Sequence, residues 1–313
     1  MAAPPKMLAP VVTDNSVIVA YGDLEANRIA SFDVGNGRPR WTMDFPQARF
    51  IGALWTCQGL MYANTRADEA YVLRVQNGAS KTRLKDTYVW ACNSRLILVT
   101  SWSQKAHQPP AETLSALDAQ TLRSVWRKAL APWRVHEMQV EGDKVALVLI
   151  RGWWEIGHVM RQRVTVRAAD GYEVLRGKPE EWLPNRTIGD PIPKTLPQPA
   201  RTRLTRLLAR QGGVFIGCTR VLRLRDLFFA GNREDSTAPS KVYAIRGSTG
   251  QIVWQQPAPG LLDIALGDTR VFVAYGLQQK HAMRRNKSLM ALDAETGRVL
   301  WTTELGRSTP AGR

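Results

Sequence analysis

The residues able to do chemistry in this 313-residue chain are few and scattered. Three cysteines, Cys57, Cys92 and Cys218, stand far apart without CxxC or Cys/His spacing, so they indicate neither a zinc site nor a disulfide framework. They read as buried structural thiols in a reducing compartment. The histidines, His107, His136, His158 and His281, have no local ligand spacing either, and three fall on long connecting segments, so only convergence in space would let them hold a metal. No nucleophile elbow, phosphate-cradling glycine loop or HExxH is present. No catalytic residue, metal or cofactor is expected from these residues.

Aspartates are different, because three of them share a pattern that explains them structurally. Asp33 follows a strand-like run and a small residue, precedes the turn glycine Gly37, and leads to Trp41. Asp118 leads to Trp126, with Leu122 where the glycine would stand. In a third copy Arg246 takes the aspartate position, before Gly250 and Trp254; in a fourth, Asp293 precedes Gly297 and Trp301. Two degenerate copies run through Arg74 and Gly78 to Thr82, and through Arg167 and Gly171 to Leu175. Since Arg replaces Asp in three of the six, the aspartates are not an essential catalytic set.

The elements that position these residues follow from the period. Tryptophan-equivalent positions 41, 82, 126, 175, 254 and 301 are 41, 44, 49, 79 and 47 residues apart, with one long interval over an obvious insertion. Turns of the Asn-Gly, Asp-Gly and Thr-Gly kind close tight hairpins. Two further strand-like runs precede each copy, so each repeat holds four short strands, termed A to D here, with the tryptophan on D. A four-stranded unit repeated at this period predicts an all-β propeller of six or seven antiparallel blades, in one domain over residues 1–313.

The motif resembles the tryptophan-docking repeat of PQQ-like β-propellers, a family that includes quinoprotein dehydrogenases and BamB-like assembly lipoproteins. The resemblance runs over about residues 9–305 and is clearest at Trp301. It implies the fold and says little of function. The alcohol-oxidising members carry an adjacent cysteine pair and a calcium site; no such pair occurs here.

Interruptions of the repeat carry the remaining signal. Strand parity puts the A–B and C–D connections at one face and the B–C and D–A connections at the other. The long B–C segments are 103–112, 151–162, 231–240 and 276–288, and a D–A insertion spans 176–213 between the fourth and fifth repeats. Together they hold 16 Lys and Arg against 7 Asp and Glu, more than half of the net charge of +16. The insertion begins proline-rich over 178–199, expected to run extended, and continues into 201–210, where Leu204, Leu207 and Leu208 share one helical face and Arg203, Arg206 and Arg210 lie elsewhere. A short basic helix is the main reading, and a strand of a seventh blade with 214–217 the alternative. A second basic cluster comprises Lys280, Arg284, Arg285 and Lys287. Trp102, Trp153 and Trp154 start long B–C segments, as interface anchors if exposed and core if buried. Residues 306–313 form a tail.

These features predict a non-catalytic scaffold for protein–protein interaction, a subunit of a larger assembly, binding through Arg201, Arg203, Arg206, Arg210, Lys280, Arg284, Arg285 and Lys287. The alternatives are nucleic acid or another polyanion on the same face, and a quinone- or small-ligand-dependent enzyme using the central funnel. No run is long and apolar enough to span a bilayer, and the first ten residues lack a signal-peptide core, which gives a cytoplasmic expectation, or a periplasmic one if the N-terminus is a processed end.

Overall fold

Evenly apolar runs, such as 17–20, 96–99, 145–150 and 271–274, suit strands covered on both faces rather than strands with one wet face. That is where they lie. The computed structural model describes residues 10–22, 27–45, 51–65, 69–103, 111–153, 158–181, 197–209, 222–231, 240–278 and 285–305. These form six four-stranded antiparallel blades of a β-propeller. Blade 1 contains β1 (Val11–Val12), β2 (Ser16–Tyr21), β3 (Arg28–Asp33) and β4 (Pro39–Asp44). Blade 2 contains β5 (Ile51–Cys57), β6 (Leu60–Thr65), β7 (Glu69–Arg74) and β8 (Ser80–Lys85). Blade 3 contains β9 (Thr87–Cys92), β10 (Leu96–Ser103), β11 (Ala111–Asp118) and β12 (Ser124–Ala129). Blade 4 contains β13 (Arg134–Glu141), β14 (Lys144–Trp153), β15 (His158–Arg167) and β16 (Glu173–Arg176). Because β15 outruns β16, a short β17 (Glu180–Glu181) pairs with its uncovered part at Met160 and Arg161. After a helix, α1 (Gln198–Ala209), come blade 5, with β18 (Leu222–Leu224), β19 (Leu227–Gly231), β20 (Lys241–Arg246) and β21 (Ile252–Pro257), and blade 6, with β22 (Leu261–Leu266), β23 (Arg270–Gln278), β24 (Arg285–Asp293) and β25 (Val299–Leu305).

All six C–D turns share one geometry, degenerate copies included. The N–H of the turn residue donates to the carbonyl four positions back: Gly37 to Asp33, Gly78 to Arg74, Leu122 to Asp118, Gly171 to Arg167, Gly250 to Arg246 and Gly297 to Asp293, at 2.7–2.9 Å. Each of these turn residues has a positive φ, Leu122 included at 59°. A bulge follows in every C–D pair and sets a small or β-branched residue opposite the tryptophan position: Ser31 opposite Trp41, Val72 opposite Thr82, Ala116 opposite Trp126, Thr165 opposite Leu175, Ala244 opposite Trp254 and Ala291 opposite Trp301.

The blades fall into two compact units. Residues 1–50 with 187–313 hold blades 1, 5 and 6; residues 51–186 hold blades 2, 3 and 4. In the first unit, one core packs Val17 and Val19 against Phe272, Leu289 and Trp301, and a second packs Phe229, Val242 and Trp254 against Ile264, Val271 and Leu292. In the second unit, Leu98 and Leu114 meet Val145, Leu147 and Val164, while Tyr62 and Val72 meet Val89 and Ile97. Each core is therefore shared by two successive blades.

The tryptophans join those blades. Within the first unit, Trp254 Nε1–H donates to Ala294 O at 2.9 Å, and Trp301 Nε1–H donates to Val34 O at 3.2 Å. Within the second, Trp126 Nε1–H donates to Ala168 O at 2.7 Å. In each case the indole lies on the next blade's turn glycine: a Cβ at Gly297 would come 2.6 Å from Trp254, at Gly37 2.5 Å from Trp301, and at Gly171 2.8 Å from Trp126. These glycines are required twice over, for their φ and for the ring above them.

Two substitutions separate those requirements. Gly142, in the blade 4 A–B turn, has φ +61° and nothing within 4 Å of a built Cβ. Gly142→Ala should cost only the left-handed strain, about 1–2 kcal/mol. Gly297→Ala adds displacement of Trp254 and should approach the about 3–5 kcal/mol of losing a buried indole. Urea unfolding of both variants measures the difference, and equal losses would remove the ring from the account.

Candidate interaction surface

Five of the eight predicted binding residues lie on these elements, Arg201, Arg203 and Arg206 on α1 and Arg285 and Lys287 on β24. The stretch 201–209 is helical, which excludes the strand alternative for the described part, and 210 and 214–217 lie outside the described residues. The helix starts earlier than expected, at Gln198, so Pro199 sits in its first turn instead of ending an extended segment. A first-turn proline leaves only an N–H that would lack a helical partner anyway. Arg201 N–H donates to Pro197 O at 2.9 Å. Arg201 is half-buried and Arg203 exposed. Arg206 lies on α1 with its side chain outside the described residues, as does all of Arg210.

Helix α1 rests on a turn glycine of the same kind as those that carry an indole at Gly37, Gly171 and Gly297. A Cβ at Gly250 would lie 2.4 Å from Pro199 O and 3.3 Å from Ala200 N, so the first helical turn rests on the blade 5 C–D turn by its backbone. Ala200 is fully buried there. Leu175, at the tryptophan position of blade 4, is 65% exposed. This corrects the expectation that the insertion stays on the B–C and D–A face. Its helix begins beside a C–D turn, because the bare glycine offers a seat that a helix backbone can fill.

The second basic cluster also needs correction. Strands β23 and β24 reach further than expected, so 276–278 and 285–288 are ladder rather than loop. Lys287 is only 5% exposed, with its backbone paired to Gly276 and Leu305, so it does not present charge to a partner. Arg285 is in β24 with its side chain outside the described residues, and Lys280 and Arg284 lie outside them altogether. Likewise β14 and β15 run ten residues each, leaving only 154–157 of the expected 151–162 loop outside the ladder. Helix start and cluster thus sit at opposite ends of their blades, the first at a C–D turn and the second at a B–C end.

Several insertion charges are satisfied internally. Arg176 pairs with Glu173 through two nitrogens at 2.6 Å, and Lys128 of β12 reaches Glu173 at 3.1 Å. The Arg176 bond first, reinforced by Lys128, holds the Glu173 carboxyl down at about 2. Arg161 pairs with Glu180. Trp102 is half-buried in β10 opposite Glu112; the Trp153 side chain and all of Trp154 lie outside the described residues.

The motif aspartates cap their own turns. Asp33 Oδ1 accepts from Gly35 and Asn36, Asp118 Oδ1 from Gln120 and Thr121, and Asp293 Oδ1 from Glu295 and Thr296, at 2.8–3.2 Å. These bonds, together with that from Arg40 to Asp33, hold the three carboxyls below their ordinary range. Among histidines, His136 is half-buried in β13, His158 starts β15, and His107 and His281 lie outside the described residues. Among the described residues, no group of three or more His, Cys, Asp or Glu is arranged to hold a metal ion.

Two features were missed in the sequence. Glu112, read as the end of a loop, is 2% exposed, and its Oε2 accepts Val135 N–H at 2.8 Å across blades 3 and 4. Cys57 and Cys92 end the A strands of successive blades, just before their A–B turns. Aligning the repeats through strand A, rather than counting the cysteines along the chain, would have brought them together.

Residues 227–312, covering blade 6 and most of blade 5, match the family model described as outer membrane protein assembly factor BamB. The matched residues are less than half of the chain. Among solved structures, the chain is similar to BamB from Moraxella catarrhalis at 12% identity and TM-score 0.39, over 97% of this chain and 83% of that one. It is also similar to quinohemoprotein alcohol dehydrogenase ADHIIG from Pseudomonas putida HK5, at 12% identity and TM-score 0.43, over 95% of this chain and 66% of that one. The computationally designed Ika8 protein gives 10% identity and TM-score 0.35, over 96% and 87%. No curated protein matches the sequence.

Two outcomes test these placements. Gly250→Ala should loosen α1 and speed tryptic cleavage after Arg201 and Arg203, while Gly142→Ala leaves that rate unchanged; equal rates would detach the helix from its glycine seat. Glu112 gives a pH signature. Burial pushes its carboxyl above the ordinary 4.5, against the opposing pull of the Val135 and Thr100 bonds and the Arg134 charge. The fold then holds the Glu112 proton more tightly than the unfolded chain does. Its contribution is complete below 4.5 and is lost as pH rises through the folded value. Glu112→Gln should flatten that decline in urea midpoints, and an unchanged pH slope would show that other groups cause it.

Proposed function

We propose that this chain is a non-catalytic propeller scaffold that holds protein partners in a larger assembly, with helix α1 as a contact element. The observation that carries this reading is the anchoring of α1: its backbone occupies the Gly250 seat while Arg203 stays exposed. A charged element fixed to a rigid sheet loses little freedom on binding, which favours recognition by a preorganised surface. The net charge of +16 favours an acidic protein surface as the partner.

The motif's chemistry supports the same reading. The carboxyls of Asp33, Asp118 and Asp293 are held low, first by the Arg40 guanidinium, the Thr121 N–H and the Thr296 hydroxyl respectively, a poor state for a general acid. Their carboxylates shape the turns on which the tryptophans rest.

The test is co-purification from the native cell with the double reversal Arg203→Glu and Arg206→Glu. The expected outcome is loss of the bound partner with no change in thermal midpoint, and retention when the wild-type lysate is treated with nuclease. Unchanged co-purification of the variant would defeat the helix as a contact, and loss on nuclease treatment would defeat the protein-scaffold reading.

A further inference from the structure

The joint between blades 2 and 3 lacks its tryptophan. Thr82 stands at that position and is exposed, while the turn residue it would cover is Leu122, which folds in against Tyr62, Val72, Val89 and Ile97. Polar links cross this joint instead. Asn64, fully buried, donates to Val89 O at 2.7 Å and accepts from Val89 N–H at 2.8 Å, and Lys81 Nζ donates to Gln120 O at 3.0 Å.

Two thiols cross it as well. Cys57 Sγ reaches Asn93 O at 3.2 Å, and Cys92 Sγ reaches Thr56 O at 3.6 Å, so each sulfur lies against the backbone beside the other cysteine. The two side chains pack on the same apolar cluster. Both are free and half-buried, so a small reagent can approach them. Two cysteines held side by side on facing strands meet the first geometric demand of a disulfide.

We propose that Cys57 and Cys92 form an oxidisable pair, closing a disulfide that ties β5 of blade 2 to β9 of blade 3. The reaction is exchange with a low-molecular-weight disulfide such as oxidised glutathione. One protein thiolate attacks a reagent sulfur, breaking the reagent S–S bond and releasing one glutathione thiolate. The other protein thiolate then attacks the protein-side sulfur of the mixed disulfide, forming the Cys57–Cys92 bond and releasing the second. The two protons lost by the protein thiols end on the two released glutathiones, so the protein is oxidised by two electrons and the reagent reduced by two. Burial, with Cys57 alongside, pushes the Cys92 thiol up, so the exchange should quicken as pH rises. Locking this joint restrains a pair of blades that no indole wedges together.

The test incubates the full-length chain with oxidised glutathione, quenches with an alkylating agent after unfolding, and maps tryptic peptides by mass spectrometry. The expected product is a linked Cys57–Cys92 peptide pair two hydrogens lighter than its parts and separated by dithiothreitol. The oxidised chain should also show a thermal midpoint raised by several degrees and restored by the reductant. Cys218→Ser should leave both results intact, while Cys57→Ser and Cys92→Ser should each stop at the alkylated or glutathionylated single thiol. Full alkylation of both cysteines, glutathione adducts without a linked pair, or a link that needs Cys218 would each overturn the proposal.

Discussion

When the indole of one blade settles on the turn glycine of the next, three local conditions must hold together. The turn residue must take a left-handed φ, the position must lack a Cβ, and a carbonyl must face the indole N–H. Gly297 and Ala294 meet all three for Trp254, Gly37 and Val34 for Trp301, and Gly171 and Ala168 for Trp126. The aspartate of the motif acts one step earlier, binding the N–H groups that shape the turn and so setting the carbonyl of the following residue. At the Trp301 joint, Arg270 Nη1–H and Trp301 Nε1–H both donate to Val34 O, and Thr303 Oγ1–H donates to Gly37 O at 2.8 Å. That joint connects blade 6 to blade 1 within one compact unit.

A repeat built this way tolerates change only in matched pairs. Losing the tryptophan leaves a void, and losing the glycine blocks the seat, so either alone is costly. The joint between blades 2 and 3 shows paired change: Thr82 coincides with Leu122, a side chain growing from the turn into the missing ring's space. Within the other unit, Gly250 is covered by the Pro199 backbone. The insertion is thereby part of the packing, not a decoration on it.

Strand order and the docking of Trp126, Trp254 and Trp301 were legible because they rest on local turn chemistry and a fixed period, whereas six blades against seven stayed open. Even Leu122 could be aligned, since the residues before it kept the motif. Strand ends were not legible: Arg151 and Lys287 look like loop residues by type, yet β14, β15, β23 and β24 extend through them, because ladder pairing between adjacent strands outweighs polar composition. Lys287 shows the cost of reading function from charge alone. The seat of α1 was invisible too, since nothing local marks Gly250 as the glycine that a helix backbone covers.

Magnitudes show how the blade 2–3 joint stands without an indole. A buried indole is worth about 3–5 kcal/mol by its loss on truncation. Partial burial of Leu122 returns about 1–2 kcal/mol, taken below the full value because the side chain is only half covered. The two bonds between Asn64 and Val89 add about 1 kcal/mol each, and being fully buried they also fix the register of β6 against β9. The totals agree within a kcal/mol or so, but their character differs. An indole wedge is stiff and insensitive to solvent chemistry, whereas this joint depends on directed polar contacts and has two thiols at its edge. Cohesion between these two blades therefore answers to the redox state of its surroundings in a way that the joints closed by Trp126, Trp254 and Trp301 do not.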